Sequence, residues 1–169
     1  MTADGRDVLS AVAIGVGASA LMDLWNLFLK LAFGVPSLNY GLLGRWFLHM
    51  PSGTFRHASI SHARSMPLEC MAGWIAHYTI GASLAVGFLF VVSRAWLVQP
   101  VLLPALVWGV ATVAFPMFVM QPALGLGLAA SKTPNPIQAR IKSLATHTVF
   151  GVGLYACAEA LNYLVRAPR

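Results

Sequence analysis

Three ionisable residues stand inside stretches that are otherwise apolar: Asp23 in "GASALMDLWNLFLK", His77 in "GWIAHYTIGASL" and His147 in "SLATHTVFGVGL". Burying such groups in lipid is costly, so they mark ligand sites, proton pathways or interhelical networks. Imidazole and carboxylate together can bind a transition metal, and imidazole alone can ligate haem iron or relay a proton. Asp23 lies seven residues before Lys30, His77 eight after Glu69 and His147 five after Lys142. At 1.5 Å per residue these offsets correspond to depths of about 10, 12 and 8 Å. Consecutive membrane helices run antiparallel, so all three residues reach one level, in the half nearest the long connections.

Helical phase supports the grouping. Ser19, Asp23, Asn26 and Lys30 form one polar stripe, and Ser143, His147, Gly151 and Tyr155 form another. Gly73, His77 and Gly81 share a face in the same way. Small residue, three others, His, three others, Gly therefore occurs twice, a pattern compatible with two parallel helix-hairpin repeats. The small residues would admit either a neighbouring helix or a flat ligand.

Four readings use these residues. Asp23, His77 and His147 form a two-imidazole, one-carboxylate set for a divalent transition metal with open positions, although no pair of ligands on one helix supports it. Alternatively, His77 and His147 are the axial ligands of a haem b whose propionates meet Arg45, Lys132 or Arg140, with Asn26 and Tyr40 as further cofactor-binding residues. Third, Asp23 carries a proton and the histidines relay it in transport of a small solute. Last, the three residues are a structural network without ligand. The preferred expectation is a metal or haem site for redox or metal-assisted chemistry on a small or lipid-soluble substrate. Transport is the alternative and the bare network comes third; whether the chain is an enzyme stays open.

The elements that must position these groups are membrane helices. Hydrophobic residues make up 58% of the 169 and charged residues 9%, which excludes an ordinary soluble domain. Four stretches approach the roughly 20 apolar residues that a span needs, at about 8–33, 69–93, 101–120 and 143–165. The expected fold is an all-α integral membrane four-helix bundle in one domain, 1–169, with an interfacial segment between its first two helices. Lys30, Arg45, Arg56, Arg64, Lys132, Arg140 and Lys142 fall on the face of the first and third connections; Arg6, Arg94, Arg166 and Arg169 fall opposite. That bias predicts cytoplasmic long connections and periplasmic termini, and the formal charge of +6 is assigned to anionic headgroups, not to nucleic acid. The expected partners are the lipid bilayer, a small-molecule substrate and a second copy of the chain.

The leading "VLSAVAIGVGASA" carries a signal-peptidase-like Ala18, Ser19 and Ala20, but its acidic flank and the apolar run beyond it predict an uncleaved first helix. Cys70 and Cys157 lie about 20 Å apart in depth, too far for a disulfide, and are expected to be free, buried small residues.

In the first connection, Tyr40, Leu42, Leu43, Trp46, Phe47 and Leu48 predict a short interfacial helix with Arg45 and Trp46 at headgroup level. His49, His57 and His62 follow, with Arg56 and Arg64; His57 and His62 have loop-ligand spacing, but a solvated basic surface is the favoured reading. Pro104, Pro116 and Pro122 punctuate the third span, and Pro116 predicts a kink. No phosphate loop, nucleophile elbow, zinc-protease motif or dinucleotide fingerprint is present.

Three segments, "GASALMDLWNLFLK", "FGVPSLNYGLLGRW" with "HMPSGTFRH", and "MQPALGLGLAASKTPNPIQARIKSLATH", resemble an uncharacterised family of small four-helix bacterial inner-membrane proteins, a domain of unknown function. The resemblance covers nearly the whole chain. It implies a bacterial cytoplasmic membrane and a single domain, and it implies no activity.

Overall fold

Asp4 starts the first helix, its carboxylate accepting from the backbone N–H groups of Arg6 and Asp7 while the Asp7 carboxylate takes the N–H of Asp4. The reciprocal cap satisfies donors that a helix start leaves free. Helix α1, Gly5–Phe33, ends where Gly34 turns left-handed at φ 66°. A computed structural model describes residues 4–166, so Arg169 lies outside the described residues. Among the described residues every regular element is helical.

After α1 come α2 (Tyr40–His49), α3 (Glu69–Val92) and the short α4 (Arg94–Val98). The third span begins with α5 (Leu102–Thr112), passes through a π-helical turn at Pro116–Met120 and closes in α6 (Gln121–Ala123). The last helix, α7, runs over Pro136–Arg166. Four helical stretches are long and apolar enough to cross a membrane: Gly5–Phe33, Glu69–Val92, Leu102–Ala123 and Pro136–Val165. The chain is a multi-pass membrane protein. The fourth begins well before the expected residue 143, because hydropathy locates the lipid boundary while the helix continues through the polar "IQARIK". Pro136, at the first helical position, gives up no bond there.

Helix α1 is the centre of the bundle. Helices α3 and α7 each pack along it instead of along one another, and α5 packs on α7. Lipid tails are as apolar as the side chains, so these contacts depend on close fit. A Cβ on Gly15 of α1 would come 2.7 Å from the Gly81 carbonyl of α3, and one on Gly109 of α5 would come 2.5 Å from the Gly151 Cα of α7. Ile14, Ala18, Phe88, Phe150 and Leu154 fill the buried core, while Leu43, Trp46, Ile60, Ala123 and Leu124 make a second core under the long connections.

The crossings give a direct stability prediction. Gly109→Ala should destabilise the bundle by about 1–3 kcal/mol, the range of overpacked cores. Gly87→Ala, whose new methyl would sit 3.5 Å from the Trp108 ring, should cost little. Thermal unfolding of both in one detergent checks the contrast.

Two expectations about exposure change. Trp46 is buried, its indole N–H donating to the Phe55 carbonyl, instead of lying at headgroup level. Cys70 is free but exposed; Cys157 is free and partly buried, its Sγ facing Gly17.

Candidate functional site

The site is assembled by the angle at which α2 enters. Asn39 caps that helix through the Gly41 N–H. From there α2 runs antiparallel along the first turns of α3. A Cβ on Gly73 would fall 1.7 Å from the Tyr40 carbonyl oxygen, and one on Gly44 would fall 1.9 Å from that of Glu69. Only glycines permit this approach. It brings the phenol at the start of α2 down to the level of Asp23 and His77.

There the Tyr40 hydroxyl donates to Asp23 Oδ1 at 2.6 Å, and the Tyr78 hydroxyl donates to Asp23 Oδ2 at 3.0 Å. His77 Nε2 lies 3.3 Å from both Asp23 Oδ1 and Tyr40 Oη. The Tyr40 proton is committed to the carboxylate, so the contact between the two side chains requires a proton on His77 Nε2. Asp23 thus accepts three hydrogens. Trp74 completes an aromatic wall, its ring 4.3 Å from that of Tyr40, which in turn lies 4.5 Å from the imidazole. The Asp23 and His77 side chains retain 19% and 13% of their exposure.

His147 has another partner. Its Nδ1 lies 2.8 Å from Thr112 Oγ1, and the Thr112 hydroxyl donates to the Gly109 carbonyl at 2.6 Å. A hydroxyl has one hydrogen, so the imidazole donates through Nδ1 and keeps Nε2 as its acceptor. Thr112 is the last residue of α5, with Val113, Ala114 and Phe115 between it and the π-helical turn, where the Gln121 N–H bonds back to the Pro116 carbonyl. The Pro116 interruption therefore takes the form of a π turn, a feature common at functional sites. Among the described residues no three His, Cys, Asp or Glu side chains gather as a metal-holding group.

The glycines beside the histidines are occupied by neighbouring helices. A Cβ at Gly81 would meet Ser19 Oγ at 1.9 Å, and one at Gly151 would meet the Ala105 carbonyl at 2.7 Å. Of the two uses that the small residues allow, these take the helix crossing.

Of the basic residues matched to haem propionates, Arg45 and Arg140 are engaged elsewhere. Arg45 makes a two-pronged pair with Glu69, Nε to Oε2 and Nη2 to Oε1 both at 2.8 Å, and its Nη1 donates to the Ile60 and Ala63 carbonyls. Arg140 donates to the Ala129 carbonyl, and the Asn26 amide turns back on Met22 of its own helix. Lys132 lies on the exposed third connection, where its backbone N–H bonds the Leu126 carbonyl. Tyr40 alone of that group joins Asp23 and His77. Sequence reasoning missed Tyr78, Trp74 and Thr112. Tyr78 adjoins His77, but whether it faces α1 depends on a packing angle that the sequence does not state. Thr112 carried one signal, since "AS" at 18 and 19 matches "AT" at 111 and 112.

Residues 12–161 match the model of a family described as a protein of unknown function (DUF2938), which agrees with the resemblance seen in the sequence. No curated protein and no solved structure matches the chain.

Proposed function

Because the chain belongs to the DUF2938 family, whose description names no activity, we propose on geometry alone that Asp23 and His77 form an intramembrane proton-binding couple serving proton-coupled movement of a small solute. The observation that supports this is the carboxylate held by Tyr40, Tyr78 and His77 at 2.6, 3.0 and 3.3 Å. With Nε2–H turned toward Asp23, a further proton goes to His77 Nδ1, and Asp23 balances the imidazolium. Protonation thus changes the net charge of one half-buried pair while both tyrosines stay in place. Such a change alters which arrangement of helices is favoured. The π turn at Pro116–Met120 is the element that we take to move.

The resemblance noted in the sequence supports a bacterial inner membrane, and the distribution of Lys and Arg supports cytoplasmic long connections with the termini on the other, periplasmic side. Four spans enclose a narrow path, so the proposed transporter works as at least a dimer.

The metal or haem reading rests on one favourable contact, an imidazole nitrogen 3.3 Å from a carboxylate oxygen. A third ligand would require His147 to move toward Asp23 and His77, with which it forms no metal-holding group among the described residues, and a porphyrin would require α1 to leave its place against α3 and α7. The proton couple requires neither.

pH-difference infrared spectra test the proposal without knowledge of the solute. Wild-type protein should show carboxylate bands that change with pH and vanish in Asp23→Asn. Identical spectra from the two proteins would overturn it.

A further inference from the structure

The long connections hold a second pair of imidazoles that the membrane site does not use. His49 ends α2 and His57 lies in the following loop, and their ring centroids are 5.1 Å apart with planes inclined at 36°. His49 Nδ1 and His57 Nε2 are both buried without a hydrogen-bond partner among the described residues. A buried, unpaired imidazole nitrogen costs free energy, and here two occur side by side. Burial, and then the neighbouring His49, hold the His57 imidazole below its ordinary pKa and favour the neutral form that ligates metals.

We propose that His49 and His57 bind a divalent transition-metal ion of the Zn²⁺ type through His49 Nδ1 and His57 Nε2, with water completing the coordination. At a Zn–N distance of about 2.0–2.1 Å and tetrahedral angles, the centroids of two imidazoles on one ion lie about 5 Å apart, which is the separation of this pair. The favoured reading of this segment from its residues is a solvated basic surface, and the one ligand partner that spacing offers His57 is His62. That residue instead turns its Nδ1 to the Ser59 hydroxyl at 2.9 Å on an exposed face.

The position gives the ion a consequence. The His57 N–H donates to the Ala123 carbonyl and the Ile60 N–H to the Leu124 carbonyl, so this loop is laced to the end of the broken third span. Gly125, at φ 85°, lets the two backbones meet: a Cβ there would fall 2.2 Å from the Ala58 carbonyl oxygen. An ion shared by His49 and His57 would therefore fasten α2, which carries Tyr40, to the segment that follows the π turn.

The test is Zn²⁺ titration by calorimetry of the full chain in mild detergent, purified through a histidine-free tag and stripped with chelator. Wild type, His62→Ala and His77→Ala should each bind one ion per chain. His49→Gln and His57→Gln should bind it roughly 100-fold more weakly, because loss of a ligand exceeds the roughly 10–100-fold penalty for loss of a second-shell partner. Thermal melts should show Zn²⁺ raising the Tm of wild type and leaving that of His57→Gln unmoved, with the two metal-free melts showing that both are folded. No binding by wild type, undiminished binding by folded His57→Gln, or loss of binding in His77→Ala would overturn the proposal.

Discussion

Asp23→Asn reconstituted in liposomes should show no solute-driven proton uptake above protein-free vesicles, while remaining folded in the bilayer. The substitution keeps the size of the side chain and an acceptor for Tyr40, and it removes the charge that balances a protonated His77. Hydrogen bonds to a charged group are worth about 1.5–3 kcal/mol each, so some stability should go with the carboxylate. The transport effect should be total, because among the described residues no other carboxylate pairs with His77: Glu69 is bound to Arg45, Asp4 and Asp7 lie at the opposite end of the bundle with Arg94, and Glu159 is exposed near the far end of α7. The measurement is vesicle-interior pH during addition of candidate solutes from several chemical classes, wild type beside variant. A solute that drives proton uptake equally in both would sink the proposed role of Asp23. Tyr40→Phe separates binding from charge, since it removes the 2.6 Å bond and leaves the carboxylate ionised. It should retain uptake with an altered pH profile.

How the sequence relates to this site is clear from individual residues. Depth was legible. Counting from Lys30 and Glu69 puts Asp23 and His77 at one level, and the two side chains do touch. Azimuth was not legible. His147 reaches a comparable depth, but its ring turns to Thr112 of α5, and the sequence does not fix how far α7 is rotated about its axis. Amphipathic phase gave little help, because a membrane helix is apolar on both its packed and its lipid faces. The four spans were readable for the same reason, composition alone identifying each of them. The dip of α2 was hidden because "YGLLGRWFLH" has the pattern of an interfacial helix, and the feature that draws it inward is the pairing of Gly44 with Gly73, two residues far apart in the chain. Arg45 shows the same limitation. Its charge suggested headgroups or propionates, whereas its partner is a carboxylate 24 residues away.

That pairing underlies the second large effect. Arg45→Ala should lower stability by about 2–4 kcal/mol, somewhat under the 3–5 kcal/mol of a fully buried pair that loses one member, because the two side chains keep 12% and 21% exposure. The loss is large because removing the guanidinium strands the Glu69 carboxylate with one remaining donor, the Met66 N–H at 2.9 Å, and takes a donor from the Ile60 and Ala63 carbonyls. Arg45→Lys keeps the charge and loses the fork, so it should fall between wild type and alanine. Arg45→Met with Glu69→Leu replaces both charges by apolar groups and should recover much of the stability, since the cost arises from an uncompensated charge. Unfolding in one detergent ranks the four proteins; a double variant as unstable as Arg45→Ala would show that the cost lies elsewhere. The arrangement also links stability to chemistry. Arg45 and Tyr40 are on one ten-residue helix, so a helix loosened at its Glu69 end no longer holds the phenol against Asp23. Arg45→Ala should therefore impair proton uptake without altering any group that carries the proton, and the double variant should restore uptake along with the fold.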